Sequence, residues 1–158
     1  MEIYKLIEQY KGERNKEIRG IFSSIFIFQN RLQTIFDKAD PYITVKQFML
    51  LAMVKHSTEK QTYTHLGKLL GCSRQNIKKL VISLEKKGYL INQKSNEDKR
   101  TSYIIMTEKA NEYFDEISNI HQIHLAELFS EYSDEEISFL YKTLMKLHSS
   151  IDKFEREY

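Results

Sequence analysis

The sequence predicts a mainly α-helical fold with one small β-hairpin, and three observations support this. Of the 158 residues, 41% are hydrophobic and 12% aromatic, a composition that suits one globular domain spanning residues 1–158. With one Pro and five Gly the chain has no flexible linker, and apolar residues recur at helical spacing along most of it. Only residues 89–91 and 101–106 have the pattern of strands, and a polar, turn-forming segment joins them.

The composition also excludes several classes of protein. The longest apolar run, Phe48–Val54, is far shorter than the roughly 20 residues that span a bilayer, so we expect no membrane segment. The first 16 residues are charged throughout and do not resemble a secretory signal. The single cysteine, Cys72, can form no internal disulfide, which fits a reducing compartment. We therefore expect a cytoplasmic protein.

The sequence predicts one long helix followed by one short helix in the N-terminal part of the chain. Apolar residues at helical spacing predict a long helix over Ile18–Phe36 that is covered on several sides. Asp40 and Pro41 then favour a turn, because the residue before a proline avoids the helical region. Thr44 can cap a short helix that continues through Val54.

The next two helices are separated by a very short turn. Thr62 caps the first, whose inner residues are Leu66, Leu69 and Leu70. Gly71 ends it, because the left-handed position after a helix strongly prefers glycine. Ser73 can cap a second helix only two residues later. Two helices joined by three or four residues with a glycine form a helix-turn-helix.

The second of these helices has one apolar face and one basic face. Its inner residues are Ile77, Leu80, Val81 and Leu84; Gln75, Lys79 and Lys86 lie on the opposite face, with Asn76, Lys78 and Ser83 at its edges. Lys pairs with guanine in the DNA major groove, and Gln and Asn pair with adenine. Ser73 and the free N–H groups of the first turn can hold a phosphate.

Charge supports the same interpretation. The net charge is only +2, but residues 61–105 carry nine Lys or Arg against three Asp or Glu, and residues 106–158 carry five against twelve. The basic middle predicts double-stranded DNA as the partner. The hairpin after the second helix completes a winged helix-turn-helix lobe over residues 44–106. Arg100 in this wing suits a narrow minor groove, and Asp98 could brace it by a salt bridge.

The C-terminal helix has a heptad seam, which we call the C-terminal seam: Ile137, Leu140, Leu144, Leu147, Ile151 and Phe154. Ser133 is the expected N-cap, with Glu136 completing a capping box. A helix of about 24 residues, roughly 36 Å long, has to pack on another long helix. That partner is either residues 106–128 or a second copy of the chain. We favour a dimer interface, because helix-turn-helix proteins read two half-sites through two-fold symmetry.

Several of these motifs occur together in one known family. Thr62-x-x-x-Leu66, the turn Leu70–Gln75, Leu84-Glu85-x-x-Gly88-Tyr89 and the wing sequence Asp98-Lys99-Arg100 followed by Ile105-Met106-Thr107 resemble the bacterial multiple-antibiotic-resistance-regulator (MarR) family. The resemblance implies a homodimer whose helical regions, residues 1–38 and 107–158, interlock. It also implies a repressor that binds a near-palindromic operator and is released by a small ligand.

The resemblance further implies roles for individual residues. The recognition-helix contacts would be Ser73, Arg74, Gln75, Asn76 and Lys79, with Arg100 as the wing contact positioned by Asp98. With the neighbouring polar residues, the expected DNA-binding set is Thr62, Ser73, Arg74, Gln75, Asn76, Lys78, Lys79, Lys86, Asp98, Lys99 and Arg100. A small aromatic or lipophilic effector would bind near Phe22, Phe26, Tyr42, Phe48 and Tyr63. Gly67 replaces the usual Ala, and a helix-interior Gly costs about 1 kcal/mol.

Other functions remain as alternatives. Cys72 permits a redox sensor, although a buried Cys usually acts as a small hydrophobe. His121, His124 and Glu127 could lie along one helix face and hold Zn²⁺, although two His on a helix surface usually bind no metal. A helical protein-interaction module would explain the C-terminal seam but not the wing. The sequence lacks a phosphate loop, a Gly-x-Ser-x-Gly and a His-Glu-x-x-His, so we expect no enzyme and no cofactor.

Overall fold

The computed structural model describes residues 3–95 and 101–157, and it confirms a mainly α-helical chain with one hairpin. Its elements, in order, are α1 (Ile3–Glu8), α2 (Arg14–Ala39), α3 (Val45–His56), α4 (Tyr63–Leu70), α5 (Arg74–Lys86), β1 (Leu90–Lys94), β2 (Ser102–Met106), α6 (Glu108–Leu128) and α7 (Asp134–Phe154). Within the described residues, no helix is both long enough and apolar enough to span a membrane.

The chain divides into two compact units, Met1–Asn111 and Glu112–Tyr158. The expected DNA-binding lobe lies inside the first unit. Its core is built by α3, α4, α5 and the hairpin, which bury the side chains of Leu50, Leu51, Leu66, Ile77, Val81, Leu84, Leu90 and Ile104. These elements pack because each of them presents one apolar face, and burial of those faces drives folding.

The two strands pair antiparallel in a register that runs from Leu90 opposite Met106 to Lys94 opposite Ser102. A bridge between Gln61 and Ile104 adds one residue pair to the outer edge of β2. After the hairpin, the Thr107 hydroxyl donates to the carbonyl of Gly88 at 2.7 Å and accepts from the N–H of Ala110. The first turn of α6 is thereby tied to the end of the recognition lobe.

Four predicted helix caps are present, because each depends only on neighbouring sequence. The hydroxyls of Thr44, Thr62, Ser73 and Ser133 accept hydrogen bonds from backbone N–H groups three residues later. Ser133 and Glu136 form the expected capping box at the start of α7, and Thr44 and Gln47 form a second one. Gly71 adopts the left-handed conformation, with φ of 63°, that ends α4.

One residue predicted to be inside lies on the surface. Leu69 is 48% exposed, whereas Leu66 is fully buried and Leu70 is half-buried. The inward face of α4 is centred between Leu66 and Gly67, because the missing side chain of Gly67 lets the neighbouring turn approach that side. Leu69 therefore falls on the flank of the short helix.

The long helices at the two ends of the chain expose their apolar faces. On α2, the side chains of Ile21, Phe22 and Phe26 are more than half exposed, although the sequence predicted a helix covered on several sides. The helix α7 has no buried residue, and along the C-terminal seam Leu147 is half-buried while the other five side chains are between 37% and 61% exposed. A helix buried in the core of its own subunit would not have this pattern.

Candidate nucleic-acid interface

The turn between α4 and α5 is closed by backbone hydrogen bonds. The N–H of Cys72 donates to the carbonyl of Gly67 at 2.9 Å, and the Ser73 hydroxyl accepts from the N–H of Asn76 at 3.2 Å. This brings the two helices together at a fixed angle, as the helix-turn-helix motif predicts. Cys72 itself is half-buried in the turn and is a free thiol.

Gly67 has a structural role that the sequence interpretation missed. A Cβ atom added there would lie 2.8 Å from the carbonyl oxygen of Cys72, a backbone atom on the opposite side of the turn. Real Cβ atoms do not approach other atoms so closely. The expected cost of a helix-interior glycine is therefore offset, because this turn leaves no room for the methyl group of Ala.

The outward side of α5 is exposed and basic, and we call it the α5 outer face. Ile77, Val81 and Leu84 are fully buried on the inner side. The α5 outer face consists of Arg74, Gln75, Asn76, Lys78, Lys79, Ile82 and Lys86, all exposed. Four of these seven side chains carry a positive charge, so the face can meet a polyanion without rearrangement.

Ser83 is an exception, because its hydroxyl points to another helix. It accepts a 2.8 Å hydrogen bond from the side-chain amide of Gln47, which is buried at the start of α3. The oxygen of the same amide accepts from the N–H of Thr44 at 3.0 Å and from the Lys87 ammonium at 3.3 Å. The Lys87 ammonium also donates to the carbonyl of Tyr42 at 2.7 Å. Ser83 thus belongs to a polar contact that anchors α5 on α3.

This anchor was not found in the sequence, although one signal for it existed. A Gln three residues after a capping Thr is the pattern of a capping box, and that box holds the Gln47 amide in place. The carboxylate of Asp37, near the end of α2, accepts a hydrogen bond from the N–H of Val45, the first residue of α3. The start of α3 is therefore tied both to α2 and to the last turn of α5.

Tyr63 lies beside the recognition helix and the wing. Asn92 in β1 and Glu85 in the last turn of α5 both act on its phenol. Burial and the Glu85 carboxylate raise the pKa of Tyr63, while the Asn92 side chain and the charge of Arg74 act in the opposite direction. The phenol is therefore neutral at ordinary pH and can act as donor or acceptor.

The remaining candidate residues are placed as follows. Phe22 and Phe26 contact each other edge to face on α2, with ring centroids 5.1 Å apart, and Phe48 is half-buried on α3. Asp98, Lys99 and Arg100 lie outside the described residues. Among the described residues, His121, His124 and Glu127 included, no three His, Cys, Asp or Glu side chains come together as a metal site.

Comparisons with known proteins agree with this geometry. A family model described as transcriptional regulator SarA/Rot matches residues 34–117, which include α3 to α5, the hairpin and the first half of α6. An uncharacterized HTH-type transcriptional regulator, YkoM of Bacillus subtilis (strain 168), is 28% identical over 139 residues, which is 87% of this chain and 89% of YkoM.

Two solved structures have the same fold. A MarR/EmrR family transcriptional regulator from Acinetobacter sp. ADP1 has a TM-score of 0.76 at 22% identity, over 85% of this chain and 96% of that one. MepR in the S. aureus MepR–DNA complex has a TM-score of 0.72 at 22% identity, over 82% of this chain and 97% of that one.

Proposed function

The chain is a DNA-binding transcriptional regulator of the SarA/Rot family, and on this premise we propose that it is a homodimeric repressor that a small ligand releases from a near-palindromic operator. The observation that carries the proposal is the α5 outer face, with four exposed cations and two exposed amides on one side of a rigid helix. The structure of this lobe supports binding to a polyanion.

The cations on the α5 outer face support major-groove binding. Arg74 stands in the first turn and Lys86 in the last, so positive charge extends along the whole helix. Gln75, Asn76 and Lys79 are of the types that pair with base edges, whereas Thr62 and Ser73 cap helices whose N-termini suit phosphate. Lys78 and Lys86 at the edges of the face suit backbone phosphates. In this proposal Lys99 and Arg100 extend the contact from the wing, with Asp98 positioning Arg100.

The exposed apolar faces of α2 and α7 support a homodimer. Monomeric proteins rarely expose contiguous apolar patches larger than a few hundred Å². The C-terminal seam runs along a helix of 21 residues that buries none of them. The acidic balance of residues 106–158, five Lys or Arg against twelve Asp or Glu, makes DNA an unsuitable partner for this region, whereas a second copy of the same seam is complementary by heptad packing. Two recognition helices one helical turn apart, about 34 Å, would then read two half-sites.

Release by a ligand follows from the same geometry. A molecule that binds better to a dimer with the wrong helix spacing shifts the population towards that form, and both half-sites are lost together. In this proposal the effector is small and aromatic or lipophilic, and its pocket includes Phe22, Phe26, Tyr42 and Phe48. Tyr63 would reach that pocket only from its edge, since it lies beside Asn92 of the wing. Such a regulator would work in the cytoplasm.

The test begins with selection of bound duplexes from a random DNA library. We expect an enriched near-palindrome, a dimer by sedimentation, and an affinity that falls steeply with salt because phosphate contacts release counterions. Arg100→Ala should weaken operator binding about tenfold or more, as expected for one base or minor-groove contact of 1–3 kcal/mol, with dimer and fold unchanged. Lys142→Ala, which removes a cation from α7, is the matched control and should leave affinity unchanged.

A second variant separates base reading from phosphate contact. If Lys79 reads a base, Lys79→Ala weakens binding to the selected duplex more than binding to random duplexes. An equal loss on both would make Lys79 a phosphate contact. Failure of the library to enrich any sequence, together with a monomeric chain at micromolar concentration, would refute the proposed function.

A further inference from the structure

The hairpin of β1 and β2 is held at both of its outer edges. On the β2 edge, the N–H of Ile104 donates to the carbonyl of Gln61 at 2.8 Å. On the β1 edge, the N–H of Asn92 donates to the carboxylate of Glu85 at 2.9 Å. Asn92 and Ile104 stand directly opposite each other in the register. The two contacts therefore hold the two opposite edges of the hairpin at the same residue pair.

The edge position of the Asn92 N–H follows from the strand pairing. In an antiparallel ladder, residue pairs alternate between those that bond each other and those whose N–H groups point outward. Because Ile104 donates away from β1, its pair with Asn92 is of the outward type. The N–H of Asn92 would otherwise be an unpaired edge donor. Glu85 supplies the acceptor, and hydrogen bonds to a carboxylate are stronger than those between neutral groups.

The side chain of Asn92 lies beside Tyr63, the first residue of α4, and acts to lower the pKa of that phenol. The backbone of Asn92 is thus bound to the recognition helix, and its side chain lies beside the preceding helix. We call Tyr63, Glu85 and Asn92 the Asn92 clamp. The clamp lies midway along the five-residue strand β1.

We propose that Glu85 and Tyr63 are positioning residues that fix the direction of the wing relative to α5, so that wing and recognition helix reach their grooves together. This inference rests on the proposed function, in which the wing contacts DNA. Neither residue touches a base in this proposal. Both act through Asn92.

Glu85 has two opposite effects on DNA affinity, and this makes the inference testable. It is the single acidic residue of α5. Its negative charge repels DNA phosphates. A glutamate at this position without the hydrogen bond to Asn92 would therefore weaken binding to every DNA sequence. Its hydrogen bond to Asn92, by contrast, favours only the DNA that the wing contacts. Glu85→Gln removes the charge and keeps an acceptor oxygen, whereas Glu85→Ala removes both.

The experiment compares these two variants with Tyr63→Phe on the selected operator and on a random duplex. Glu85→Gln should bind both duplexes at least as tightly as the unmodified protein. Glu85→Ala should match Glu85→Gln on the random duplex but bind the operator up to about tenfold more weakly than Glu85→Gln, since the neutral hydrogen bond that Gln can still accept is lost. Tyr63→Phe should produce a smaller operator-specific loss. Glu108→Ala, a loss of one acidic charge at the start of α6, is the matched control and should change neither affinity.

DNA footprinting and amide hydrogen exchange show where each variant changes the protein or its contact with DNA. With Glu85→Ala, hydroxyl-radical protection of the minor groove should disappear while methylation protection of guanine N7 in the major groove persists. The N–H of Asn92 should exchange slowly in the unmodified protein and in Glu85→Gln, and rapidly in Glu85→Ala. Exchange is measured without DNA, so it tests the clamp even for a variant that binds no operator.

Two outcomes would overturn the inference, and they differ. If minor-groove protection is present in the unmodified protein and survives in Glu85→Ala, only the positioning role is refuted. If the unmodified protein protects no minor groove on its selected operator, the proposed wing contact fails and the positioning role fails with it. Slow exchange of Asn92 in Glu85→Ala would also refute the clamp.

Discussion

Gly67→Ala should destabilise the protein, although the same change inside most helices stabilises it. Ala is favoured over Gly by about 1 kcal/mol in a helix interior. Against this, the new Cβ would lie 2.8 Å from the Cys72 oxygen, where ordinary contacts begin near 3.4 Å. The backbone of Cys72 cannot retreat freely, because its own N–H is bonded to the carbonyl of Gly67 at 2.9 Å.

The expected loss of stability can be worked out from the energies of these contacts. Overpacking of this kind costs about 1–3 kcal/mol, and strain on the Cys72 hydrogen bond adds up to about 1 kcal/mol. After the propensity gain of about 1 kcal/mol is subtracted, the free energy of unfolding should fall by up to about 3 kcal/mol. For a chain of this length each kcal/mol lowers the melting temperature by about 2–4 °C. Thermal and urea unfolding measure the change, at one fixed protein concentration because association affects stability.

Gly20→Ala provides the matched control in α2. There the nearest atom to an added Cβ is a side-chain atom of Tyr10, at 3.1 Å, in the turn before the helix. That atom is the Cβ of Tyr10, which moves only with the backbone of the turn, and the turn has to yield by no more than a few tenths of an ångström, so Gly20→Ala should be less destabilised than Gly67→Ala. If Gly67→Ala were instead stabilised by about 1 kcal/mol, the contact with Cys72 would not constrain the turn.

Two further predictions concern the start of α7. Ser133→Ala removes one half of the capping box, in which Ser133 and Glu136 exchange hydrogen bonds of 3.2 and 2.9 Å, and should cost about 1 kcal/mol in thermal unfolding, whereas Ser138→Ala should cost nothing. Hydrogen bonds from its own backbone N–H and from Ser133 lower the pKa of Glu135, so its charged form stabilises the fold. That contribution is complete above the pKa of an unfolded glutamate, about 4.3, and is lost as the pH falls through the lower folded pKa. Between pH 6 and pH 3 the melting temperature should therefore fall less for Glu135→Gln than for the unmodified protein. If the two melting temperatures fell equally with pH, the charge of Glu135 would not contribute to stability.

The features that the sequence predicts well are local. A capping side chain reaches an N–H group three residues away, so Thr44, Thr62, Ser73 and Ser133 could be identified without any tertiary information. The hairpin was likewise read from adjacent strand and turn residues. The motif set around the turn and wing was specific enough that the resemblance to the MarR family is confirmed. The DNA-contact residues themselves remain predictions.

The features that the sequence misplaced depend on distant partners. Ser83 has the helical position of an outward residue, but its partner Gln47 lies 36 residues away in sequence. The aromatic type of Tyr63 groups it with the other ring side chains, whereas it lies beside Asn92, in the strand that follows the next helix. Gly67 was judged by helix propensity alone, because the approach of the Cys72 carbonyl is a property of the folded turn. The apolar periodicity of a single helix or strand does not indicate such distant contacts.

A hydrogen bond closes the hairpin just before the connection between its strands, so a change in that connection should leave the stability of the lobe unchanged. The N–H of Ser95 donates to the carbonyl of Thr101 at 2.9 Å, so the two strands are joined by a hydrogen bond at the point where residues 96–100 leave and return. The cost of a longer connection grows only slowly, by about 0.6 kcal/mol for each doubling of its length. Insertions or deletions here should therefore be tolerated by the fold. In the proposed function, a change in the length or charge of this segment would alter the DNA site that is recognised without a change in the core of the lobe.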